Sequence, residues 1–437
     1  MRVPALPFRA IPLLLAAVAL PSALDAQDRD AGGGPVSPDS AALLRAALQR
    51  PPPKPPSDAV DAIGLPFRIA VFPLRLVGSG LADVVGVVTI PGPPTFLDRA
   101  LRDLDRLGFR PSIGTIGPRS GLAARLAYLQ LEPAFAEAAI SLRGSQRQRV
   151  GLRAATASTR LEVAYTFQRN AEPHFWGIGP GTKEGDRTDY LWDRQEAGVR
   201  AAGRSGPLDA TVGAAYEDNR VARGFDNGTP DLQTRFDADT LFGAADRTRF
   251  VRLDGGASLN LTRPVGFQTR GVYLQLQSSL FLGAAGTDSD FHRIGASAHG
   301  YLPLNDRQVL VVRGVVELNR ADRGRGLPFT HLASLGDRWG ARAYPEGRFR
   351  DRDAAAVTLE WRYEVWRELH GRARVEGFVF LDEGGVAPRP SRFATDALVE
   401  SHGFGMRVVS VSRLRWLGYV AFGEEGARFQ AGFEWGY

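Results

Sequence analysis

Residues 428–437 read RFQAGFEWGY. Phe429, Ala431, Phe433, Trp435 and Tyr437 fall on one side of an extended chain, with Gln430, Gly432 and Glu434 on the other, because side chains alternate faces along a strand. In water such an edge is a liability, since an exposed aromatic ribbon invites pairing with other chains. A barrel in a bilayer has a use for it: lipid covers the apolar face and the neighbouring strand takes up the edge.

The opposite end of the chain fits export. Arg2 and Arg9 flank the start of an apolar run from Ile11 to Leu20, and small residues lead to Ala26 before Gln27. This predicts a signal peptide over 1–26, too short to span a bilayer as a helix. Leu24 makes the cleavage motif imperfect. No later stretch has the roughly eighteen apolar residues of a transmembrane helix. The lack of cysteine excludes a lipidated N-terminus, disulfides and thiolate metal sites.

A hydrophobic share of 44% with 50 Gly, 24 Phe and 7 Trp leaves two classes for an exported, helix-poor chain. One is a secreted β-sandwich or propeller, which buries its apolar faces against each other and has less use for the aromatic terminus. The other is an outer-membrane barrel. The formal charge of +6 becomes about +5 without Arg2, Arg9 and Asp25, a weak charge for this length. Export also argues against a nucleic-acid partner, despite a pI of 9.8.

Three regions differ in texture. Residues 27–57 hold Gly32-Gly33-Gly34-Pro35, a short helical pattern from Asp39 to Gln49 and the run Pro51-Pro52-Pro53-Lys54-Pro55-Pro56, the composition of a flexible Pro-rich periplasmic tail. Residues 58–107 form a small periplasmic segment with two apolar stretches, Arg68–Val77 and Val84–Ile90, and one helix from Phe96 to Leu107. Thr95 and Asp98 resemble a capping box, and Phe96, Ala100, Leu104 and Leu107 make an apolar stripe. A helix this short is marginal alone and is expected to dock at the barrel mouth.

Residues 108–437 read with period two. In one segment Val357, Leu359, Trp361, Tyr363 and Val365 alternate with Thr358, Glu360, Arg362 and Glu364, one face suited to lipid and the other to water. Sixteen strands are predicted, beginning near Phe109 and ending at Tyr437, provided that 135–155 is split around Gly144. The fold expected is all-β: a 16-stranded antiparallel transmembrane β-barrel with a short periplasmic N-terminal segment. With the first strand rising from the periplasm, the long connections 170–186, 220–246, 321–354 and 383–399 all fall outside and the brief ones inside, the asymmetry of outer-membrane barrels.

The connection from Ala321 to Asp353 is rich in charge and glycine, with Arg323, Arg325, Arg338, Arg342, Arg348 and Arg350 among Gly324, Gly326, Gly336, Gly340 and Gly347. It either lies solvated outside or folds into the lumen, where its cations would need carboxylates. Glu360 and Asp382, the latter at the predicted end of strand thirteen, are the candidates.

Ala341-Arg342-Ala343-Tyr344 resembles the Arg-Gly-Phe/Tyr loop motif of the BamA/TamA surface-antigen superfamily, which includes two-partner secretion transporters. Phe380-Leu381-Asp382-Glu383-Gly384 is similar to its Phe-x-Asp-x-Gly motif and Glu360-Trp361-Arg362 to its Glu-aromatic-Arg. Phe175-Trp176-Gly177-Ile178-Gly179, with Asp186-Arg187-Thr188-Asp189-Tyr190, resembles a further recurrent segment. The resemblance spans roughly Phe109 to Tyr437. It implies that the sixth external loop enters the lumen, with Arg342, Ala343 and Tyr344 as its motif and Glu360, Asp382 and Gly384 as its partners on the wall. It also implies a weak seam between the first and last strands, where client strands or lipids engage. Pro111 fits a compromised edge. Phe429, Phe433, Trp435 and Tyr437 would serve as the chain's own terminal assembly signal.

Two departures qualify the resemblance. Ala343 stands where the family has glycine, so the loop tip must tolerate a Cβ. The segment before Phe109 leaves little room for the POTRA domains of assembly members.

Enzyme chemistry finds no motif. There is neither Gly-x-Ser-x-Gly nor His-Glu-x-x-His, and the six histidines are scattered. The acid pairs Asp288/Asp290 and Asp237/Asp239 read as solvated loop charge rather than calcium ligands. No catalytic residue, metal or cofactor is expected. The expected role is insertion or translocation of protein or lipid at the bacterial outer membrane, with outer-membrane lipid as a partner. The alternatives are a stand-alone passive channel or structural barrel, and an outer-membrane hydrolase.

Overall fold

The computed structural model describes residues 103–435 except 105, 115, 117–119, 129–132, 225–227, 238–239, 246, 266–267, 325, 338–339, 368–372, 395–396 and 411–413. The predicted signal peptide, the Pro-rich tail, most of the 58–107 segment and Tyr437 lie outside the described residues. Of the helix expected from Phe96, the last turn is described: the Leu107 N–H donates to the Asp103 carbonyl at 3.0 Å.

Sixteen long strands follow one another: β1 (Phe109–Gly114), β2 (Ala123–Tyr128), β3 (Ala134–Ser141), β4 (Gln146–Ala155), β5 (Thr159–Asn170), β6 (Thr188–Ser205), β7 (Leu208–Arg223), β8 (Thr248–Asn260), β9 (Gln268–Gly283), β10 (Ser289–Asn305), β11 (Gln308–Gly324), β12 (Asp353–Arg367), β13 (Ala373–Ala387), β14 (Val399–Ser410), β15 (Leu414–Gly423) and β16 (Gly426–Trp435). Each pairs antiparallel with the next in a single sheet, and no described helix is long and apolar enough to cross a membrane. The split between β3 and β4 falls where parity required it, at Gly144, whose φ of +80° turns the chain tightly.

The two faces of the strands separate by chemistry. Leu161, Val212, Leu276, Leu359, Phe404 and Phe429 are exposed and face outward, while Thr358, Glu360 and Glu364 on the other face of β12 are buried. An exposed apolar band of this kind suits hydrocarbon as its solvent. Trp366, exposed at the short-turn end of β12, stands at the level where interfacial aromatics are favoured.

One boundary that differs from expectation bears on the site. Strand thirteen was expected to end at Asp382, yet β13 continues to Ala387, with Asp353 to Val357 of β12 paired against Ala387 to Glu383. Gly384 is required by packing: a Cβ there would lie 2.8 Å from the Ala355 carbonyl and from Ala356 Cβ, and 3.1 Å from Leu335 of the inserted loop. Asp382 therefore sits inside the wall rather than at its rim.

Candidate functional site

The 325–352 connection folds back against the inner wall. A 3-10 turn at Phe329–His331 leads to a small hairpin of Ala333–Leu335 with Phe349–Asp351. Ala341, Ala343, Tyr344 and Leu335 then pack on Ala356, Phe378, Phe380 and Tyr419 of the wall.

At the tip, Arg342 donates from Nε to both Asp382 oxygens, at 3.3 and 3.0 Å, and from Nη2 to Oδ1 at 2.9 Å. Its backbone N–H donates to Oδ2 at 3.1 Å. Nη1 donates to Glu360 Oε2 at 2.8 Å, and Arg362 holds the other oxygen of Glu360 at 2.5 Å. The guanidinium stacks 3.6 Å from the Phe380 ring centroid. Asp382 is fully buried and also accepts from Thr358 Oγ1 at 2.9 Å and Ser401 Oγ at 3.0 Å. A buried carboxylate needs this much compensation, and a planar guanidinium on two carboxylates supplies geometry as well as charge. Thr358 and Ser401 were not singled out in the sequence; their inward parity beside Asp382 was the available signal.

Ala343 lies outside the left-handed region of φ, so its Cβ is accommodated without backbone strain. The space comes from the facing strand: a Cβ at Gly423 would sit 2.8 Å from Ala343 Cβ and 3.2 Å from the Tyr344 ring. The Tyr344 hydroxyl accepts from the Glu424 N–H at 3.2 Å. Phe429 points outward and is 69% exposed. Phe433 and Trp435 continue β16 in register with Trp416 and Leu414.

A second set of contacts ties the loop to the last hairpin. Arg348, 2% exposed, pairs with Glu425 at 2.6 Å. It also donates to the Thr182 hydroxyl and carbonyl, at 2.8 and 2.7 Å, in the 171–187 loop, and faces the Trp176 ring. Arg428 of β16 donates to the Tyr344 carbonyl at 2.8 Å, and the Tyr419 hydroxyl binds Asp337. These partners lie far apart in sequence, and only the basic content of the loop hinted at them.

An apolar cluster occupies the long-loop end. Phe175, Leu232, Leu241, Leu327 and Phe329 from three loops pack with Phe250, Phe281 and Phe291 of the wall. Beneath it Glu217 accepts from Arg194 at 2.8 Å and Arg252 at 2.5 Å, and contacts His331 Nε2 at 2.9 Å.

Among the described residues no group of metal-ligating side chains forms. Asp290 accepts from the Gly283 N–H at 2.9 Å. Ser278 Oγ and His292 Nε2 are 2.8 Å apart, but among the described residues no carboxylate hydrogen bond orients that ring.

Residues 209–415 match the model of the Omp85 superfamily domain. No curated protein matches the chain. Among solved structures, BamA from Haemophilus ducreyi lacking POTRA domains 1-3 is similar at a TM-score of 0.53 and 13% identity, over 77% of each chain. CdiB from Escherichia coli gives a TM-score of 0.48 at 12% identity, over 77% of this chain and 69% of that one. CdiB from Acinetobacter baumannii gives 0.46 at 12%, over 74% and 58%. Residues 209–415 thus match an Omp85 superfamily domain, and the chain folds as a barrel of the BamA/TamA type.

Proposed function

We propose that this barrel sits in the bacterial outer membrane and inserts or translocates a protein or lipid client through the seam between β1 and β16. One observation carries the reading. Consecutive strands all share a ladder, whereas β1 and β16 come within 8 Å, Cα to Cα, and form no paired register among the described residues. β1 has six residues, and Pro111 has no N–H to donate. β16 is held from inside the barrel through Glu425 and Arg428. The seam thus joins a strand interrupted by proline to one anchored from within, an arrangement that suits an added client strand. The apolar cluster at the long-loop end weighs against an open passive channel, and the Ser278–His292 contact, lacking an orienting carboxylate, weighs against a hydrolase.

The native chain has no cysteine, so a panel of cysteine pairs, one in β1 and one in β16, forms unambiguous cross-links. In proteoliposomes, closing the seam should abolish insertion of an unfolded barrel client, and reduction should restore it. Full activity in the cross-linked form would exclude the seam as the route.

A further inference from the structure

The outer wall over β5 to β8 changes character sharply toward the long-loop end. Along β7 the outward positions Leu208, Ala210, Val212, Ala214 and Tyr216 are apolar or aromatic, and Leu208, Val212 and Tyr216 are exposed. Their span matches the roughly 9–11 residues that a tilted strand needs to cross hydrocarbon. The next two outward positions are Asp218 and Arg220. The neighbouring strands turn polar at the same level: β5 passes from the exposed Leu161, Val163 and Tyr165 to Arg169, and β8 from the exposed Leu253 and Val251 to Arg249. Strand register aligns them, with Asp193 of β6 opposite Arg169 on one side and Arg220 on the other, and Asp218 opposite Arg249. Tyr165 and Tyr216 stand just below, at the depth where interfacial aromatics are favoured.

The guanidinium groups of this row keep donors in reserve. Arg169 spends two on Asp193, at 2.7 and 2.8 Å. Arg247 and Arg249 share Asp218 through their Nε atoms, at 2.6 and 3.1 Å, which leaves both Nη groups of Arg247 without an acceptor among the described residues. Arg220 is exposed, and among the described residues its side chain has neither a hydrogen bond nor an ion pair. The row is local: at outward positions of β13 and β14, Glu383 and Glu400 stand opposite each other. We infer that the Arg220–Arg247–Arg249 row binds the phosphate of a lipid headgroup in the outer leaflet. Side chains directly above the hydrocarbon meet headgroups, and guanidinium groups bind phosphate oxygens two donors at a time. Basic clusters beside a membrane-spanning segment recognise anionic headgroups in this way. The lipid's acyl chains lie along the apolar face below, against Val212 and Leu253, a contact that a free phosphate cannot make. The inference takes the barrel as membrane-spanning and is separate from the seam between β1 and β16.

Insertion of the purified full chain into dioleoylphosphatidylcholine vesicles tests the membrane reading by itself, and failure there would strike the barrel reading along with the site. Native mass spectrometry of the full chain in detergent then tests the site, with dioleoyl phosphatidic acid set against dioleoylglycerol, which has the same tails and no phosphate. Phosphatidic acid should bind at least about fivefold more tightly. R220Q and R249Q should each weaken that binding about fivefold, and the double variant about twenty-five-fold. Arg220 has no partner to strand, and in R249Q Asp218 keeps Arg247, so neither variant disturbs the fold. E400Q, on another sector of the wall, should leave binding unchanged. Equal affinity for the two lipids, undiminished binding in R220Q and R249Q, or binding of glycerol 3-phosphate as tight as that of phosphatidic acid would overturn the inference.

Discussion

Arg348 of the lumenal loop and Glu425 of the β15–β16 turn are joined by a 2.6 Å ion pair, 77 residues apart in sequence. The terminal strand is thereby fastened to the loop, and through Thr182 to the 171–187 loop as well. Removing one member of a buried pair leaves the other uncompensated, a cost of about 3–5 kcal/mol at full burial. E425A leaves Arg348, only 2% exposed, without its carboxylate and held by Thr182 alone, and should cost about 3 kcal/mol. R348A, which strands Glu425 and loses the Thr182 contacts, should cost more. Urea titration of the folded barrel in detergent gives the order; equal loss in both variants would show that the Thr182 contacts contribute nothing.

The Arg342–Asp382 pair should behave as a unit. Each single alanine variant leaves a buried charge facing its former partners and should lose about 3–5 kcal/mol. The double variant should lose less than the sum by about 2 kcal/mol or more, as contacting residues in one network do. R342K should recover part of the loss, since a lysine keeps the charge but cannot bridge Asp382 and Glu360 as a planar fork. Additive losses in the cycle would remove the pairing from the account of what holds the loop.

How far the sequence reaches is clear from these contacts. Period-two alternation showed the strands and which face meets lipid, because a single residue of slip would invert every side chain. The β12 alternation from Val357 to Val365 was enough to place Glu360 inward. The end of strand thirteen was misplaced at Asp382, and the strand runs on through Gly384, where Leu335 of the loop presses on the wall. Glu360 and Asp382 were candidates from their place on the strands, whereas Arg342 was picked out among the loop's arginines by a motif resemblance. Arg348 with Glu425, and Ala343 with Gly423, meet only through tertiary packing, and no local pattern encodes such a meeting.

Gly423 supplies a steric test of that packing. G423A would bring a methyl group to 2.8 Å from Ala343 Cβ, closer than carbon atoms pack at rest, and overpacking of a filled site costs about 1–3 kcal/mol. Replacing Ala343 with glycine in the same chain should return most of it. If A343G fails to rescue G423A in thermal melts, the clash lies with the Tyr344 ring instead.

His331 makes stability depend on pH. It lies on the loop, fully buried, and burial pushes its pKa below the ordinary imidazole value; the bond to Glu217 pulls the other way, and Arg293 and Arg194 reinforce the fall. Above about pH 6.5 the ring is neutral in both folded and unfolded chains and contributes no pH dependence. As pH falls through that value, the unfolded chain takes up a proton that the folded one resists, so this residue destabilises the fold progressively in acid. H331Q keeps a donor for Glu217 and removes the titrating ring. Melting temperatures at pH 7.5 and 5.5 should therefore differ less in H331Q than in the native chain; an undiminished difference would mean that the acid sensitivity arises from carboxylates alone and that Glu217 holds His331 charged within the fold.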